Sequence, residues 1–378
     1  MLASPAGNFQ QRQLAKLDPS LVLAGQTPRL IDEWQEVPEI WDAVRFEVDA
    51  RADVGQFILT GSSTPQRKGV LHSGAGRIAR LRMRPMSLAE SGQSSAEISL
   101  QRLVEGEVQN VATGAVALES LIAAILRGGW PASQSLPLER AAALPKAYLE
   151  AIVNDDVHRL DDTVRQSKKL WLLLRSLARN ESTTASNRTL ARDISAVDDA
   201  SLDLGTVGTY LDIFDRLFLL DNQPPFAPNL RSNIRVKQAE KRHFVDPSLA
   251  AALLGATKEG LLNDLPTLGF LFESLVVRDL RVYAESFGAT VTHYQDYGDR
   301  EADAVVELPD GRWAAVEVKL GAGQIDEAAR HLVHLREALE NDTNARPPSV
   351  LCVISGLSTA AYRREDDVVV VPITALGP

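Results

Sequence analysis

The chain has 378 residues and a formal net charge of −10, and 45% of its residues are apolar. An apolar content in this range is ordinary for a globular protein, and the acidic balance excludes a protein that is basic over its whole surface, as an avid nucleic-acid binder is. The single cysteine, Cys352, excludes a disulfide within the chain, and no apolar run approaches the roughly 20 residues that span a bilayer, so we expect a cytoplasmic protein without a membrane segment.

The first predicted elements are two apolar strands with a helix between them. The first strand ends in Asp32 and Glu33, helical spacing runs from Ile40 to Ala50, and the second strand ends near Thr60 and Ser62. Because ligands bind at the carboxyl ends of parallel strands, we expect these four polar side chains to lie at one edge of an α/β sheet. Two acids after an apolar pair are also common at the end of an ordinary strand. The second strand, which also ends in polar residues, favours the interpretation as a ligand site.

A loop rich in Gly and Ser follows the second strand and ends at Gly76, just before Arg77. Beyond it, Arg80, Arg82 and Arg84 alternate, which predicts one face of a further strand. The sequence contains no phosphate-binding loop of the pattern G-x-x-x-x-G-K-[ST], since no Gly-Lys dipeptide occurs in it.

The middle of the chain is predicted to be helical and then to resemble a winged helix. Residues 106–160 have helical spacing, with one helix from Leu138 to Val153, and residues 161–255 carry the winged-helix pattern. The expected recognition helix, Leu204 to Leu217, is acidic and does not suit the reading of bases. Basic residues near the expected wing either occupy a solvated edge or contact nucleic-acid phosphates; they are Arg231, Arg235, Lys237, Lys241 and Arg242.

The last third of the chain alternates helices and strands around a short charged motif. Asp303 lies in the first strand of a predicted hairpin, and Glu317 and Lys319 lie on one face of the second. Carboxylates on neighbouring strands can share a divalent cation, whereas in a solvated hairpin Glu317 would simply pair with Lys319. The predicted elements are a helix (Leu268 to Ala284), a strand (Thr290 to Tyr294), the hairpin (Ala302 to Leu320), a helix (Gln324 to Leu339) and two strands (Ser349 to Ser355, Asp367 to Ile373).

This order of elements resembles the core of PD-(D/E)XK nucleases. Glu273, Asp303, Glu317 and Lys319 fall on the four motif positions, and Ala302 stands where that family has proline. The resemblance implies a metal ion held by the three acids, with Lys319 steadying a phosphate or an attacking water.

Seven short segments are specific when they are taken together in order: residues 30–38, 57–62, 76–90, 127–131, 246–249, 272–274 and 317–319. Through them nearly the whole chain resembles a family of bacterial and archaeal AAA-type ATPases with a C-terminal domain of unknown function. The resemblance implies a site for ATP and Mg²⁺ in which Asp32 holds the metal ion, Glu33 orients water, and Thr60 or Ser62 senses the γ-phosphate. It also implies a homo-oligomer in which Arg77 acts on a neighbour's nucleotide; pairing with a nearby acid is its alternative role.

The sequence thus predicts an α/β protein in four parts. They are a partial P-loop-type parallel sheet (1–105), a helical lid (106–160), a winged-helix-like domain (161–255) and a restriction-endonuclease-like α/β domain (256–378). Because the family opens with a strand and a phosphate-binding loop, we expect an N-terminally shortened member with an incomplete ATP site. A metal-dependent nuclease is the alternative function, and a non-catalytic module for DNA or protein interaction is the third.

Overall fold

The computed structural model describes residues 9–63, 74–157, 167–195, 202–229, 238–296, 298 and 300–378. The chain divides into two compact units, of which the smaller comprises residues 1–83, 155–164 and 211–219 and the larger comprises the remainder. The basic residues Arg231, Arg235 and Lys237 lie outside the described residues. The division into four domains stays a prediction, although residues 84–105 belong to the larger unit.

The smaller unit contains the predicted strand–helix–strand arrangement. Its two strands, Arg29–Asp32 (β1) and Phe57–Thr60 (β2), are parallel, and Asp32 pairs in register with Thr60. In β1 Ile31 is buried and Leu30 is exposed, as expected for a strand that packs on one face. The helices of this unit that precede and connect the strands are Gln10–Leu17 (α1), Ser20–Leu23 (α2) and Ile40–Arg51 (α3), and a 3-10 turn spans Trp34–Glu36.

The described part of the larger unit is built on a seven-stranded mixed sheet, with strand order β4-β9-β10-β8-β7-β6-β5. These strands are Val111–Ala112 (β4), Thr290–Gln295 (β5), Glu301–Glu307 (β6), Trp313–Lys319 (β7), Val350–Ser355 (β8), Ala360–Arg363 (β9) and Val368–Pro372 (β10). A separate parallel pair joins Ile98–Ser99 (β3) to Leu376–Gly377 (β11). The interior strand β7 is antiparallel to β6 and parallel to β8.

Helices pack on this sheet or lie in the described part of the segment before it, and the last six residues of one of them, Leu204–Arg216, belong to the smaller unit. They are Leu100–Val104 (α4), Leu118–Arg127 (α5), Leu138–Ala141 (α6), Leu144–Ala151 (α7), Ser167–Arg179 (α8), Asn187–Ser195 (α9), Leu204–Arg216 (α10), Pro247–Leu254 (α11), Lys258–Asn263 (α12), Leu265–Glu285 (α13) and Ile325–Glu340 (α14). Short 3-10 turns span Pro131–Ser133, Ala322–Gln324 and Ile373–Ala375, and a π-helix spans Ile152–Asp156. None of the described helices is long and apolar enough to cross a membrane.

The predicted C-terminal elements are all present, and the hairpin is not solvent-exposed. Both faces of β7 are covered, so Glu317 is only 2% exposed although it lies next to a lysine in a polar motif. Apolar residues of β6, β7, β8 and β10 pack with α14 in one core cluster. Glu317 does pair with Lys319, at 2.6 Å, but the expectation of a solvated hairpin is wrong, because β7 is an interior strand of the sheet rather than an edge strand.

Two other local predictions are corrected. The expected helix from Leu138 to Val153 is broken into α6 and α7, because Pro145 lies in the first turn of α7 and proline favours the start of a helix over its interior. The expected strand through Arg80, Arg82 and Arg84 is irregular backbone. The described part of the middle segment contains helices and isolated antiparallel bridges, and the winged-helix assignment stays a prediction.

Candidate functional site

The two strand ends of the smaller unit meet through a short hydrogen bond. Thr60 Oγ1 donates to Asp32 Oδ1 over 2.6 Å, and both side chains are half-buried. The contact follows from the register of the sheet, since these are the last paired residues of β1 and β2. The edge predicted from the sequence therefore brings an acid and a hydroxyl group into contact.

Glu33 lies beside this pair in an unusual backbone conformation. Its φ is 58°, in the left-handed region, which costs a residue with a side chain about 1–3 kcal/mol and is concentrated at functional sites. Its carboxylate accepts hydrogen bonds from Gln35 Nε2 and from Ser62 Oγ, the latter at 3.3 Å. Gln35 Nε2 also lies 3.1 Å from Ser62 Oγ. The structure thus brings together Asp32, Thr60, Glu33 and Ser62 and adds Gln35, which sequence reasoning missed.

Arg77 forms an ion pair within the smaller unit. Its Nε lies 2.9 Å from Asp49 Oδ1, and the Asp49 side chain is on α3. This is the pairing with a nearby acid that the sequence offered as one of two roles. A role on the nucleotide of a neighbouring subunit stays a prediction.

The charged motif of the C-terminal part is gathered around Asp303. Asp303 Oδ2 accepts a 2.8 Å hydrogen bond from the Val318 amide and lies 3.5 Å from Lys319 Nζ. The same Nζ lies 2.6 Å from Glu317 Oε2. Asp303 reaches Val318 and Lys319 because its strand β6 pairs with β7, and β7 ends with Glu317, Val318 and Lys319.

A second lysine, Lys241, completes the cluster and was not predicted to belong to it. Its Nζ lies 2.7 Å from Glu273 Oε1 and 3.3 Å from Asp303 Oδ1, and its side chain is 10% exposed. The sequence places Lys241 among basic residues near a wing, yet both it and Arg242 turn inward; Arg242 donates to Ala185 O and Asn187 Oδ1. No local signal marks this role, because Lys241 and Asp303 are separated by 62 positions.

Burial and the two ammonium groups act against each other in this cluster. Burial opposes the ionisation of Asp303, but Lys241 and Lys319 outweigh it and lower the pKa of that carboxyl group. Burial raises the pKa of Glu273 to about 7, and burial together with the charge of Asp303 raises the pKa of Glu317. Asp303 is therefore the principal anion at neutral pH, and the two glutamic acids hold protons more readily than exposed ones do.

The cluster was predicted to hold a metal ion. Within the described ranges, no group of three or more His, Cys, Asp or Glu side chains is arranged to hold one. Metal binding by Glu273, Asp303 and Glu317 accordingly stays a prediction.

A further buried network joins segments that the sequence had singled out as family signposts. The Gly129 amide donates to Asp246 Oδ2 over 2.9 Å, and Trp130 Nε1 donates to Ser248 Oγ over 2.9 Å. Arg278 Nη1 binds the same Asp246 oxygen at 2.9 Å. These signposts thus serve the packing of the larger unit.

Three segments of the chain match models of protein families. Residues 6–92 match an AAA domain. Residues 118–260 and 268–376 match two domains of unknown function, DUF8612 and DUF4143. The AAA match and the C-terminal match together support an AAA-type ATPase-like protein with a mixed α/β fold.

The curated relatives carry no assigned function. An uncharacterized protein of Mycobacterium bovis and one of Mycobacterium tuberculosis are each 25% identical to the chain over 307 residues, which is 80% of this chain and 61% of the relative. The chain thus spans about three fifths of the length of the curated relatives it matches. No solved structure matches.

Proposed function

We propose that the smaller unit is the metal- and water-facing half of an ATP-hydrolysing site. The observation that carries the proposal is the 2.6 Å hydrogen bond between Thr60 and Asp32 at the register-paired ends of two parallel strands. The match of residues 6–92 to an AAA domain supports the same class of function.

The side chains at this edge suit the chemistry of phosphoryl transfer. Asp32 and Thr60 offer carboxylate and hydroxyl oxygens, the ligand type that Mg²⁺ prefers, so the residues present fit that ion. When bound, Mg²⁺ neutralises charge on the transferred phosphoryl group. Thr60 fixes the rotamer of Asp32 by its hydrogen bond.

Glu33 is the residue that we assign to the attacking water. Its carboxylate accepts a proton or a hydrogen bond from that water, while Gln35 and Ser62 hold it in one orientation. The left-handed backbone at Glu33 turns the chain sharply after Asp32, which lets consecutive acids serve two different roles.

Phosphate binding needs groups that this sequence does not contain. Backbone amides and a lysine of a G-x-x-x-x-G-K-[ST] loop normally hold the β- and γ-phosphates, and the pattern is absent here. We therefore propose that the chain by itself binds ATP weakly, and that turnover requires such a loop in addition.

The test uses the full chain preceded by a strand and a G-x-x-x-x-G-K-[ST] loop, with phosphate release as the readout. We expect Asp32→Asn and Glu33→Gln each to lower kcat by ~100-fold or more, and Thr60→Val to lower it less, since misplaced general-base and metal-binding groups cost in that range. Glu39→Gln, an exposed acid before α3, is the matched control and should leave kcat unchanged. Undiminished turnover in Asp32→Asn would refute the proposal.

A metal-dependent nuclease in the larger unit is the second candidate. It is favoured by the gathering of Asp303, Glu317, Lys319 and Glu273, four residues that the resemblance assigned to one site. The position of Lys241 between two of these acids weighs against it. Cleavage of single- or double-stranded DNA that needs Mn²⁺ and is lost in Asp303→Asn would support this candidate over a non-catalytic interaction module.

A further inference from the structure

We propose that Lys241 is the built-in cation of the acidic cluster formed by Glu273, Asp303 and Glu317. The larger unit then needs no divalent ion, and a cation site in it is latent, opening only when the lysine is removed. This goes beyond the ATPase-like function and concerns a different unit of the protein.

The first argument is the position of the ammonium group. Lys241 Nζ bridges Glu273 Oε1 and Asp303 Oδ1, at 2.7 and 3.3 Å. A divalent ion bound between these two oxygens would lie about 2.0–2.6 Å from each of them. An ammonium group and a metal ion cannot both occupy that space, and their charges repel each other.

The second argument is that both oxygens of Asp303 already have partners. Oδ1 faces Lys241, and Oδ2 accepts from the Val318 amide and faces Lys319. Glu317 in turn pairs with Lys319 at 2.6 Å. Each of the three acids thus contacts at least one of the two lysines, and paired charges are the form in which ionised groups are buried.

The third argument is that Lys241 is held in place from its backbone outward. Its amide and carbonyl groups exchange 2.9 Å hydrogen bonds with Gln223. The Gln223 side chain donates to the carbonyl oxygens of Thr292 and Asp303, which fixes it to β5 and β6. With a side chain only 10% exposed, Lys241 is largely shielded from solvent.

The proposal is tested with the full chain carrying Asp32→Asn, which removes the carboxylate assigned above to Mg²⁺ in the smaller unit. Mn²⁺ binding is measured by electron paramagnetic resonance, and thermal unfolding is followed with Mn²⁺ and with EDTA. We expect no Mn²⁺ binding and an unchanged Tm in this background. Adding Lys241→Met should create Mn²⁺ binding at least ~10-fold tighter than the weakest binding that the measurement detects, since it removes a competing charge from two carboxylates.

Lys146→Met, which removes an exposed lysine from α7, is the matched control and should bind no Mn²⁺. Lys241→Met with Glu273→Gln removes one charge of each sign and should fold without Mn²⁺. The proposal would be overturned if the Asp32→Asn protein with Lys241 intact bound Mn²⁺ and Asp303→Asn abolished that binding. The proposal would also be overturned if Lys241→Met gained no Mn²⁺ binding. A third contrary outcome is that Lys241→Met fails to fold even with Mn²⁺ present, while Lys241→Met with Glu273→Gln folds.

Discussion

At the scale of single residues, the larger unit is notable for ionisable groups that are buried and paired. Arg278 lies between Asp246 and Asp279, at 2.9 and 2.7 Å, and all three side chains are almost fully enclosed. Such groups stabilise the fold only as long as every partner stays in place, because an unpaired buried charge costs about 3–5 kcal/mol. Beside the buried acid Glu181 lies instead the imidazole of His243, whose Nδ1 is 3.4 Å from Glu181 Oε1.

Glu181 predicts a specific dependence of stability on pH. Burial raises its pKa from the ordinary 4.5 to about 8, although Ser274 and the Phe244 amide donate hydrogen bonds to it. The neighbouring His243 is neutral, because burial lowers its pKa well below 6.5. Between the two pKa values of Glu181 the folded state binds more protons than the unfolded state, so its contribution to stability is lost as the pH rises through that window.

As the pH rises between the two pKa values of Glu181, we expect the unfolding free energy of the wild type to fall relative to that of Glu181→Gln, by up to ~1.4 kcal/mol per pH unit. Urea denaturation of both proteins from about pH 5 to about pH 8 measures the difference. Parallel profiles would show that Glu181 is ionised in the folded protein. Glu273 titrates in the same range, but it is common to both proteins and cancels.

At the scale of elements, register and close approach decide which segments meet. The helix α5 ends at Arg127 and is followed by Gly128 and Gly129, and the Gly129 carbonyl accepts a 2.7 Å hydrogen bond from the Met86 amide. The backbones of these segments are so close that a Cβ at position 129 would lie 2.7 Å from Met86 N, and closer still to Met86 O. A glycine is therefore required there by space.

Gly129→Ala should destabilise the protein by ~1–3 kcal/mol, the usual range for overpacking a tight contact. Gly208→Ala is the matched control, since nothing lies within 4 Å of its Cβ position in α10. We expect this second change to stabilise by about 0.5–1 kcal/mol through helix propensity. Thermal unfolding distinguishes the two, and equal midpoints would contradict the proposed close approach.

At the scale of the whole molecule, family boundaries and structural units do not coincide. The AAA match ends at residue 92, but residues 84–92 belong to the larger unit, where the Leu88 amide donates to Asp279 over 3.0 Å. The larger unit is also closed by its last strand, since Leu376 pairs with Ile98 and its carbonyl accepts from Ser94 Oγ at 2.7 Å. Contacts between residues far apart in sequence thus complete this unit.

A variant that ends at Ala375 should lose this closure. Leu376 is fully buried, and the loss of one such side chain costs about 1.5–3 kcal/mol before the strand hydrogen bonds are counted. We expect a lower unfolding midpoint than in a variant that ends at Gly377, which lacks only the exposed Pro378. Identical midpoints would mean that the pairing of β11 with β3 adds nothing to stability.

Much of the candidate chemistry could be predicted from the sequence, because it depends on local pattern. Strand alternation gives the positions of Glu317 and Lys319, and the polar ends of two apolar runs give Asp32 and Thr60. The inward turn of Lys241 could not be predicted in this way. Its residue type and its neighbours favour a solvated edge, and only pairing with Gln223 directs it to the acids.

The sequence by itself determined the main helices and strands of the C-terminal part, though not β9 and β11, and the strand ends at which acids gather, because hydrophobic periodicity acts over a few neighbouring residues. Only the tertiary structure decided that the central hairpin is buried, that Lys241 joins Glu273 and Asp303, and that Arg278 links the signpost segments. These outcomes depend on contacts between residues that are distant in the chain. A charged side chain is buried only where the fold brings an opposite charge to it.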